Sequence, residues 1–339
     1  MSELAEEKGV ESEVQSPNLQ TIRNAKMRKK LNKLYRNSSY LMMCLPIVIK
    51  TVIFSIVPML WFVMAFQDYK FPPLFGKQNT WVWFENFEYF FTSGEIWDIV
   101  GNTVGLNLMF IFIGTPLTAI MALFMNEMHS RTKTKVFQTI WFIPYLISWS
   151  VAQYASWGIM ESNGLINTVL GHLGMEPIDF YAASSTGLWP LILFLWNMWK
   201  GQGYSVILDY AALQSLDTGI MEAAELDGAT RLQRMWYIEV PHLRKIVAIQ
   251  LIMSMGGIVK SDFGMFWFLP KFEGNSALEL KKSVEVLDVR IYRLVNDPRI
   301  KTDYSKATAI GLIQSIVGMV IMLATNWIVK KLDEESAFI

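Results

Sequence analysis

Residues 222–243 read EAAELDGATRLQRMWYIEVPHL, a polar and helix-prone stretch between two long apolar runs. Asp217 is a suitable N-cap for a helix through this stretch, since an aspartate side chain accepts hydrogen bonds from the free N–H groups of a first turn. Gly228 is expected to break or bend that helix, and a second helical piece is expected over residues 229–237. Pro241 is predicted at the start of the next element, because proline fits a first helical turn. The stretch therefore predicts a helix–glycine–helix outside a membrane, between two helices that cross it.

The composition is that of a membrane protein. The chain has 339 residues, of which 52% are hydrophobic, and its mean hydropathy is +0.28. A helix rises about 1.5 Å per residue, so about 20 apolar residues cross a hydrocarbon core about 30 Å thick. The formal net charge is zero, which provides no overall positive field for nucleic acid. The single cysteine, Cys44, allows neither an internal disulfide nor a cysteine metal cluster.

Six apolar runs are long enough to cross a membrane. Pro144 lies inside the third run and predicts a kink there. A polar, basic tail over residues 1–39 precedes a transmembrane domain over residues 40–333. The predicted spans are residues 40–66, 100–125, 136–159, 188–213, 245–269 and 307–329, with the helix–glycine–helix over residues 217–243.

Lysine and arginine residues set the predicted orientation. They are denser in the tail, in the loops after the second and fourth runs and at the C-terminal end than in the first two loops on the other side. Because basic residues accumulate in cytoplasmic loops, both termini are predicted to be cytoplasmic. Residues 270–304, placed outside, are also charged and weaken the contrast. A nucleic-acid-binding arm is the competing interpretation of the tail, and the membrane span that follows favours a tail at the lipid surface.

The spacing of the polar stretch resembles that of a known family. Glu222-Ala223-Ala224 is followed, after three intervening residues, by Gly228 and, after nine more intervening residues, by Ile238-Glu239-Val240-Pro241. This pattern is similar to that of the membrane subunits of binding-protein-dependent ABC importers, with Val240 where the family usually has leucine. The resemblance covers residues 40–333. It implies an all-α polytopic membrane protein with the six-helix fold of type I ABC importer permeases.

The resemblance also implies a role for the polar stretch, which would dock into a cleft on a separate ATPase subunit and pass on its motion. ATP and magnesium would be bound by that partner, because the sequence has no Gly-x-x-x-x-Gly-Lys-Ser/Thr loop; this chain is expected to bind no cofactor or metal and not to be an enzyme. Arg231 and Arg234 are expected to face the ATPase or lipid phosphates. The implied coupling residues are Glu222, Ala223, Ala224, Glu225, Asp227, Gly228, Arg231 and Pro241.

Three other segments resemble the sugar-importing branch of these permeases. They are Asp262-Phe263-Gly264, residues 288–293 (DVRIYR) and residues 304–312 (YSKATAIGL). They are similar to permeases of the maltose type that import oligosaccharides or polysaccharide fragments. The implied partners are a second, homologous permease, an ATPase dimer, an extracellular sugar-binding lipoprotein and the lipid bilayer of a bacterial cytoplasmic membrane.

Sugar recognition requires aromatic faces and a few polar groups in an otherwise apolar cavity. Polar and charged groups inside membrane spans indicate function by default. Tryptophan and tyrosine in spans also have an ordinary interpretation as packing or interfacial residues. The candidate sugar-binding residues are Tyr154, Trp196, Asn197, Lys200, Tyr204, Lys260 and Asp262.

Two alternatives remain at this point. The chain could be an ABC import permease for a different solute, such as a phosphodiester or an amino acid. It could also be a secondary transporter outside the ABC class, which would have no ATPase for residues 222–243 to dock against.

Overall fold

The computed structural model describes residues 37–70, 74–128, 130–182, 187–270, 283–297 and 301–332. Most of the predicted tail over residues 1–39 and part of the predicted loop over residues 270–304 lie outside these ranges. The described residues are mostly helical, and they form two compact units that divide between Trp61 and Phe62.

The first unit is one apolar helical segment. Helix α1, Ser38–Thr51, continues through a π-helical turn at Val52–Ile56 and a short helix at Val57–Met59. A 3₁₀ segment, Leu60–Phe66, then leads into the second unit. Because the apolar side chains are exposed along almost its whole length, this segment needs a lipid or protein environment.

A two-stranded hairpin and a short helix begin the second unit. Strand β1, Gln67–Asp68, pairs antiparallel with β2, Thr80–Trp81, and helix α2, Glu85–Thr92, follows. The buried Asn86 amide donates to the carbonyls of Ala65 and Gln67 at 3.0 and 2.9 Å, which fixes α2 against the hairpin.

Long helices form the body of the second unit. Helix α3, Gly94–Asn126, packs along α7, Trp189–Leu213, and α4, Arg131–Leu146, packs on the other side of α7. Gly203 of α7 makes this close packing possible, since a Cβ there would collide with the backbone carbonyl of Trp141. Helix α13, Tyr304–Leu332, packs against α10, Val240–Gly256.

Two of the predicted spans are broken helices. The third run divides into α4, which ends at Leu146 two residues after Pro144, and α5, Trp149–Met160. The fifth run divides into α10, Val240–Gly256, and α11, Phe263–Phe268. Local chemistry explains both breaks, because the hydroxyl of Ser148 caps α5 and the carboxylate of Asp262 caps α11.

Shorter helices complete the unit. Helix α6, Leu165–His172, contacts α5, and α12, Leu287–Asn296, packs on α13. Trp189 and Met265 belong to the largest buried apolar cluster. Among the described residues, three helical segments are long and apolar enough to cross a membrane: Ser38–Phe66, Gly94–Asn126 and Tyr304–Lys331.

Candidate functional site

The polar stretch forms a capped helix, α8, Thr218–Leu226. The Asp217 carboxylate accepts a hydrogen bond from the N–H of Gly219 at 2.8 Å, which confirms the predicted N-cap. Gly228 follows with a φ of +80°, in the left-handed region that side chains disfavour. No atom lies within 4 Å of the position of a Cβ there, so the backbone angle, not space within this chain, requires glycine.

The second helical piece begins later than predicted and does not end before Pro241. Thr230 caps α9, Arg231–Arg234, in a capping box with Gln233, because the Gln233 Oε1 accepts from the Thr230 N–H at 2.7 Å. A π-helical turn, Met235–Glu239, then continues directly into α10, with Pro241 in its first turn. The loop is therefore connected to α10 by continuous helix.

Helix α8 presents an exposed surface. Glu222, Ala223 and Glu225 are exposed, and Ala224 is half-buried. Leu226, at the end of the same helix, is 89% exposed. Asp227, Gly228 and Arg231 are exposed as well.

Arg234 does not face outward as expected. Its Nη1 lies 3.1 Å from Oε2 of Glu225, and its side chain is only 11% exposed, whereas that of Glu225 is 72% exposed. The capping box at Thr230 turns α9 back towards α8 and places the guanidinium between the helices. Sequence spacing could not show this turn, because it depends on the left-handed backbone at Gly228.

A buried polar chain lies behind the loop. Glu239 has no exposed surface, and its Oε1 accepts from the Asn126 amide at 2.8 Å. Asn126 in turn accepts from the Gln214 amide at 2.7 Å. Burial raises the pKa of Glu239 above its usual value, while the Asn126 hydrogen bond and the charge of Arg234 oppose that shift. These hydrogen bonds join the end of α3, the residue after α7 and the π-helical turn that precedes α10. Glu239 is the variable residue of the Ile-x-Val-Pro part of the motif.

A cavity of about 440 Å³ lies among α3, α7, α10 and the α10–α11 break. Most of its polar groups are amides and hydroxyls, and Asp262 is the one charged residue among the described residues that line it. The polar lining residues are Asn107, Thr115, Thr118, Asn197, Gln202, Ser205, Gln250, Ser254 and Asp262; the apolar side chains include Phe110, Ile111, Leu208, Met253 and Met265.

Two of the seven candidate sugar-binding residues, Asn197 and Asp262, line this cavity. Lys200 is buried but does not line the cavity. Its Nζ donates to the Tyr145 carbonyl at 3.4 Å and lies 4.6 Å from the Trp149 ring centroid. Its burial is thus explained by helix packing and a cation–π contact.

The other four candidates lie outside the lining. Tyr204 stacks on Tyr145 at 5.5 Å, and Trp196 packs edge-on against Trp199 at 5.1 Å. Tyr154 is 72% exposed on α5, and Lys260 is exposed beside the α10–α11 break.

Asp262 forms hydrogen bonds with residues at both helix breaks. Its Oδ2 accepts from the indole Nε1 of Trp149 at 2.6 Å, and its Oδ1 accepts from the N–H of Gly264 at 3.1 Å. A Cβ on Gly264 would lie 2.5 Å from Cδ1 of Trp149, so the glycine leaves room for the indole. The triplet Asp262-Phe263-Gly264 therefore has a structural role at the junction of α5 and α11.

Sequence reasoning missed most of the cavity, although a signal was present. Residues 107, 111, 115 and 118 recur at helical spacing on one face of α3, and three of the four are polar within an apolar run. Residues 250, 253 and 254 recur at similar spacing on α10, and two of the three are polar. A polar stripe on an apolar helix indicates a face directed away from lipid.

Comparison with known proteins identifies the family. Residues 100–269 match the family described as the binding-protein-dependent transport system inner membrane component. The chain belongs to this family. The match includes α8, Gly228 and every residue that lines the cavity. The resemblance of the motif to this family, and the membrane location of the chain, are thereby confirmed.

Two proteins are similar in sequence to almost the whole of this inner membrane component. It is 30% identical over 309 residues to the protein LplB of Bacillus subtilis (strain 168), covering 90% of this chain and 92% of LplB. It is also 28% identical over 331 residues to the polygalacturonan/rhamnogalacturonan transport system permease protein YteP of the same organism. That similarity covers 96% of this chain and 99% of YteP.

A solved structure is also similar. It is a bacterial alginate ABC transporter in complex with an alginate pentasaccharide-bound periplasmic protein, with a TM-score of 0.76 and 27% sequence identity. The similarity covers 89% of this chain and 97% of that one. The helical fold expected for an ABC importer membrane subunit is confirmed.

Proposed function

We propose that the chain is the membrane subunit of an ATP-driven importer that moves an oligosaccharide or polysaccharide fragment across a bacterial cytoplasmic membrane by alternating access. The observation that carries the proposal is α8, an exposed and firmly capped helix that ends at the left-handed Gly228. Such a helix suits a shallow cleft on a partner, since Ala223 and Ala224 keep its face thin. Family membership supports the same role.

The partner that binds α8 is an ATPase subunit, which holds ATP and magnesium. Glu222 and Glu225 offer acceptors to basic or amide groups there, and Leu226 offers an apolar contact. Because α9 and the π-helical turn run into α10 without a break, a push on α8 is transmitted to α10 as a rigid-body movement. Arg231 and Pro241 complete the coupling segment proposed here.

The arrangement in the membrane is proposed from the sequence pattern. Residues 40–333 cross the membrane six times with both termini in the cytoplasm, and α8 lies on the cytoplasmic side. Three of these spans coincide with the long apolar helices, whereas the third and fifth contain the breaks. A second permease, an ATPase dimer and an extracellular sugar-binding lipoprotein complete the importer.

The cavity supports a sugar as the solute. Amide and hydroxyl groups exchange hydrogen bonds with sugar hydroxyls, and Phe110 and Met265 offer apolar surface. We propose Asn197 and Asp262 as sugar contacts, together with Gln202 and Gln250. The names of YteP and of the alginate transporter agree with a polysaccharide fragment. A phosphodiester is less suitable, because the described lining holds no arginine or lysine to bind phosphate.

The test is uptake by the complete importer in proteoliposomes that contain ATP. A labelled oligosaccharide mixture is supplied with its binding lipoprotein, and unlabelled neutral oligosaccharides, uronic-acid oligosaccharides, a glycerophosphodiester and an amino acid compete. We expect ATP-dependent uptake in which only the oligosaccharides compete. Uptake without ATP would indicate a secondary transporter, and competition by the phosphodiester or the amino acid alone would indicate a different solute.

A further inference from the structure

Residues 257–262, between α10 and α11, are a non-helical break beside the cavity, to which Gly257 and Asp262 contribute directly. A break in a helix leaves backbone groups without helical partners, and buried backbone groups need hydrogen bonds. Ile258 and Val259 are buried, so water cannot be assumed to serve their carbonyls.

Three side chains from three other helices bind this backbone. From α3, the Asn107 amide lies 2.8 Å from the Ile258 carbonyl and 2.9 Å from the Lys260 carbonyl. It also lies 3.2 Å from the Ser261 hydroxyl.

The other two side chains come from α12 and from α13. Asp288 of α12 accepts from the Ser261 N–H through Oδ2 at 2.7 Å. Gln314 of α13, which is 4% exposed, donates to the Val259 carbonyl and to the same Oδ2 of Asp288, the latter at 3.1 Å. Burial raises the pKa of Asp288, and the Ser261 and Gln314 hydrogen bonds oppose that shift, as expected for a carboxylate enclosed by donors.

We propose that Asn107, Asp288 and Gln314 are positioning residues that clamp the 257–262 break, so that Asp262 stays in the cavity wall and α12 moves together with that wall. None of the three needs to contact the solute for this role. The clamp itself is argued from the hydrogen bonds, and only its effect on sugar transport rests on the proposed function.

The arrangement favours a clamp over ordinary packing. Each of the three side chains makes at least one contact that ends on the backbone of the break, and they approach from α3, α12 and α13. Releasing one contact frees a backbone group at the cavity, whereas releasing an ordinary surface contact frees nothing there. Access to the cavity is therefore the property that the clamp controls.

The experiment measures that access without transport. In a Cys44→Ser background, Ser254→Cys places a single thiol of this chain in the cavity lining. The assembled importer in membranes is treated with a small charged methanethiosulfonate reagent, and remaining thiol is measured by the gel shift of the tagged chain with a maleimide-polymer. Asn107→Asp and Asp288→Ala remove clamp bonds.

Two variants serve as references. Asp288→Asn keeps an amide oxygen that accepts from Ser261 and Gln314, and it should restore the clamp. Asn296→Asp makes the same chemical change as Asn107→Asp at an exposed position at the end of α12.

We expect Asn107→Asp and Asp288→Ala to speed labelling by about tenfold, the change in equilibrium that follows loss of roughly one buried hydrogen bond. Asp288→Asn and Asn296→Asp should label at the parental rate. Parental rates in all four variants would overturn the proposal, as would equal acceleration by Asp288→Asn and Asp288→Ala. Absence of both clamp variants from the membrane would overturn it too, because these residues would then serve folding. Labelling of the cavity thiol needs neither sugar nor ATP. A failure of sugar uptake would therefore count against the proposed function and not against the clamp.

Discussion

Arg234 and Glu225 form an ion pair at 3.1 Å that holds α9 against α8 on the inner side of the loop. Three residues enable it: Gly228 turns the chain, and Thr230 and Gln233 start α9 in the right direction. The loop therefore contains an ion pair and a capping box of its own, both formed between residues of the loop. This matters for coupling, because a rigid loop transmits displacement and a flexible one absorbs it.

The first prediction concerns the asymmetry of this pair. Arg234→Gln should destabilise the chain by about 1–3 kcal/mol, because it removes a largely buried guanidinium whose charge also favours the ionised form of the buried Glu239. Glu225→Gln should cost less than about 1 kcal/mol, since that carboxylate is mostly exposed. Thermal unfolding of the purified complex in detergent measures both. Equal losses would mean that Arg234 acts only through Glu225.

The second prediction separates backbone angle from space at Gly228. Its φ of +80° is tolerated by asparagine better than by alanine, although asparagine is larger. If the turn is what matters, Gly228→Asn should retain more of the ATPase subunit on affinity purification than Gly228→Ala. The reverse order would indicate that the ATPase cleft leaves no room for a side chain at this position.

These local features are the part of the site that the sequence could predict. Asp217 and Gly228 act through their own and neighbouring backbone groups, so a pattern of a few residues defines them. The cavity is different, since Asn107, Gln202 and Gln250 come from helices distant in sequence. The inward turn of Arg234 likewise depends on how two short helices meet.

The breaks were hidden for a related reason. Residues 136–159 and 245–269 read as continuous apolar runs, and hydropathy does not register a change in backbone direction. Pro144 marked one break, but Asp262 appeared to be a charge within a span, whereas it is a helix cap that binds the Trp149 indole. In the sequence Lys200 is a charge within an apolar run, and only the packing shows the rings of Tyr145 and Trp149 beside it.

The third prediction uses pH. Burial raises the pKa of Glu239 above its unfolded value of 4.5, so the folded chain holds that proton more tightly than the unfolded chain. The stability of the parent should therefore fall as pH rises from about 4.5 through the raised pKa. Glu239→Gln keeps an acceptor for Asn126 and has no such titration. Unfolding temperatures of parent and variant, measured from pH 4 to 8, should diverge in favour of the variant as pH rises; parallel curves would contradict the assignment.

The fourth prediction concerns the junction of the two breaks. Gly264→Ala places a Cβ 2.5 Å from Cδ1 of Trp149, so the indole must move and its bond to Asp262 is strained or lost. We expect a loss of about 1–3 kcal/mol in stability and a marked fall in uptake. Gly158→Ala in α5 is the matched control, since nothing lies within 4 Å of its Cβ and alanine favours a helix. Similar behaviour of the two variants would show that Trp149 has room to shift.

The central claim is that α8 couples this chain to an ATPase, and the most direct measurement is the amount of ATPase subunit recovered with the affinity-tagged chain from solubilised membranes. Glu222→Lys reverses a charge on the exposed face of α8, and Glu88→Lys makes the same change on the exposed face of α2. Both variants should reach the membrane in parental amounts. We predict that Glu222→Lys loses most of the ATPase and that Glu88→Lys retains it. Full recovery of the ATPase with Glu222→Lys, accompanied by normal sugar uptake, would contradict the account.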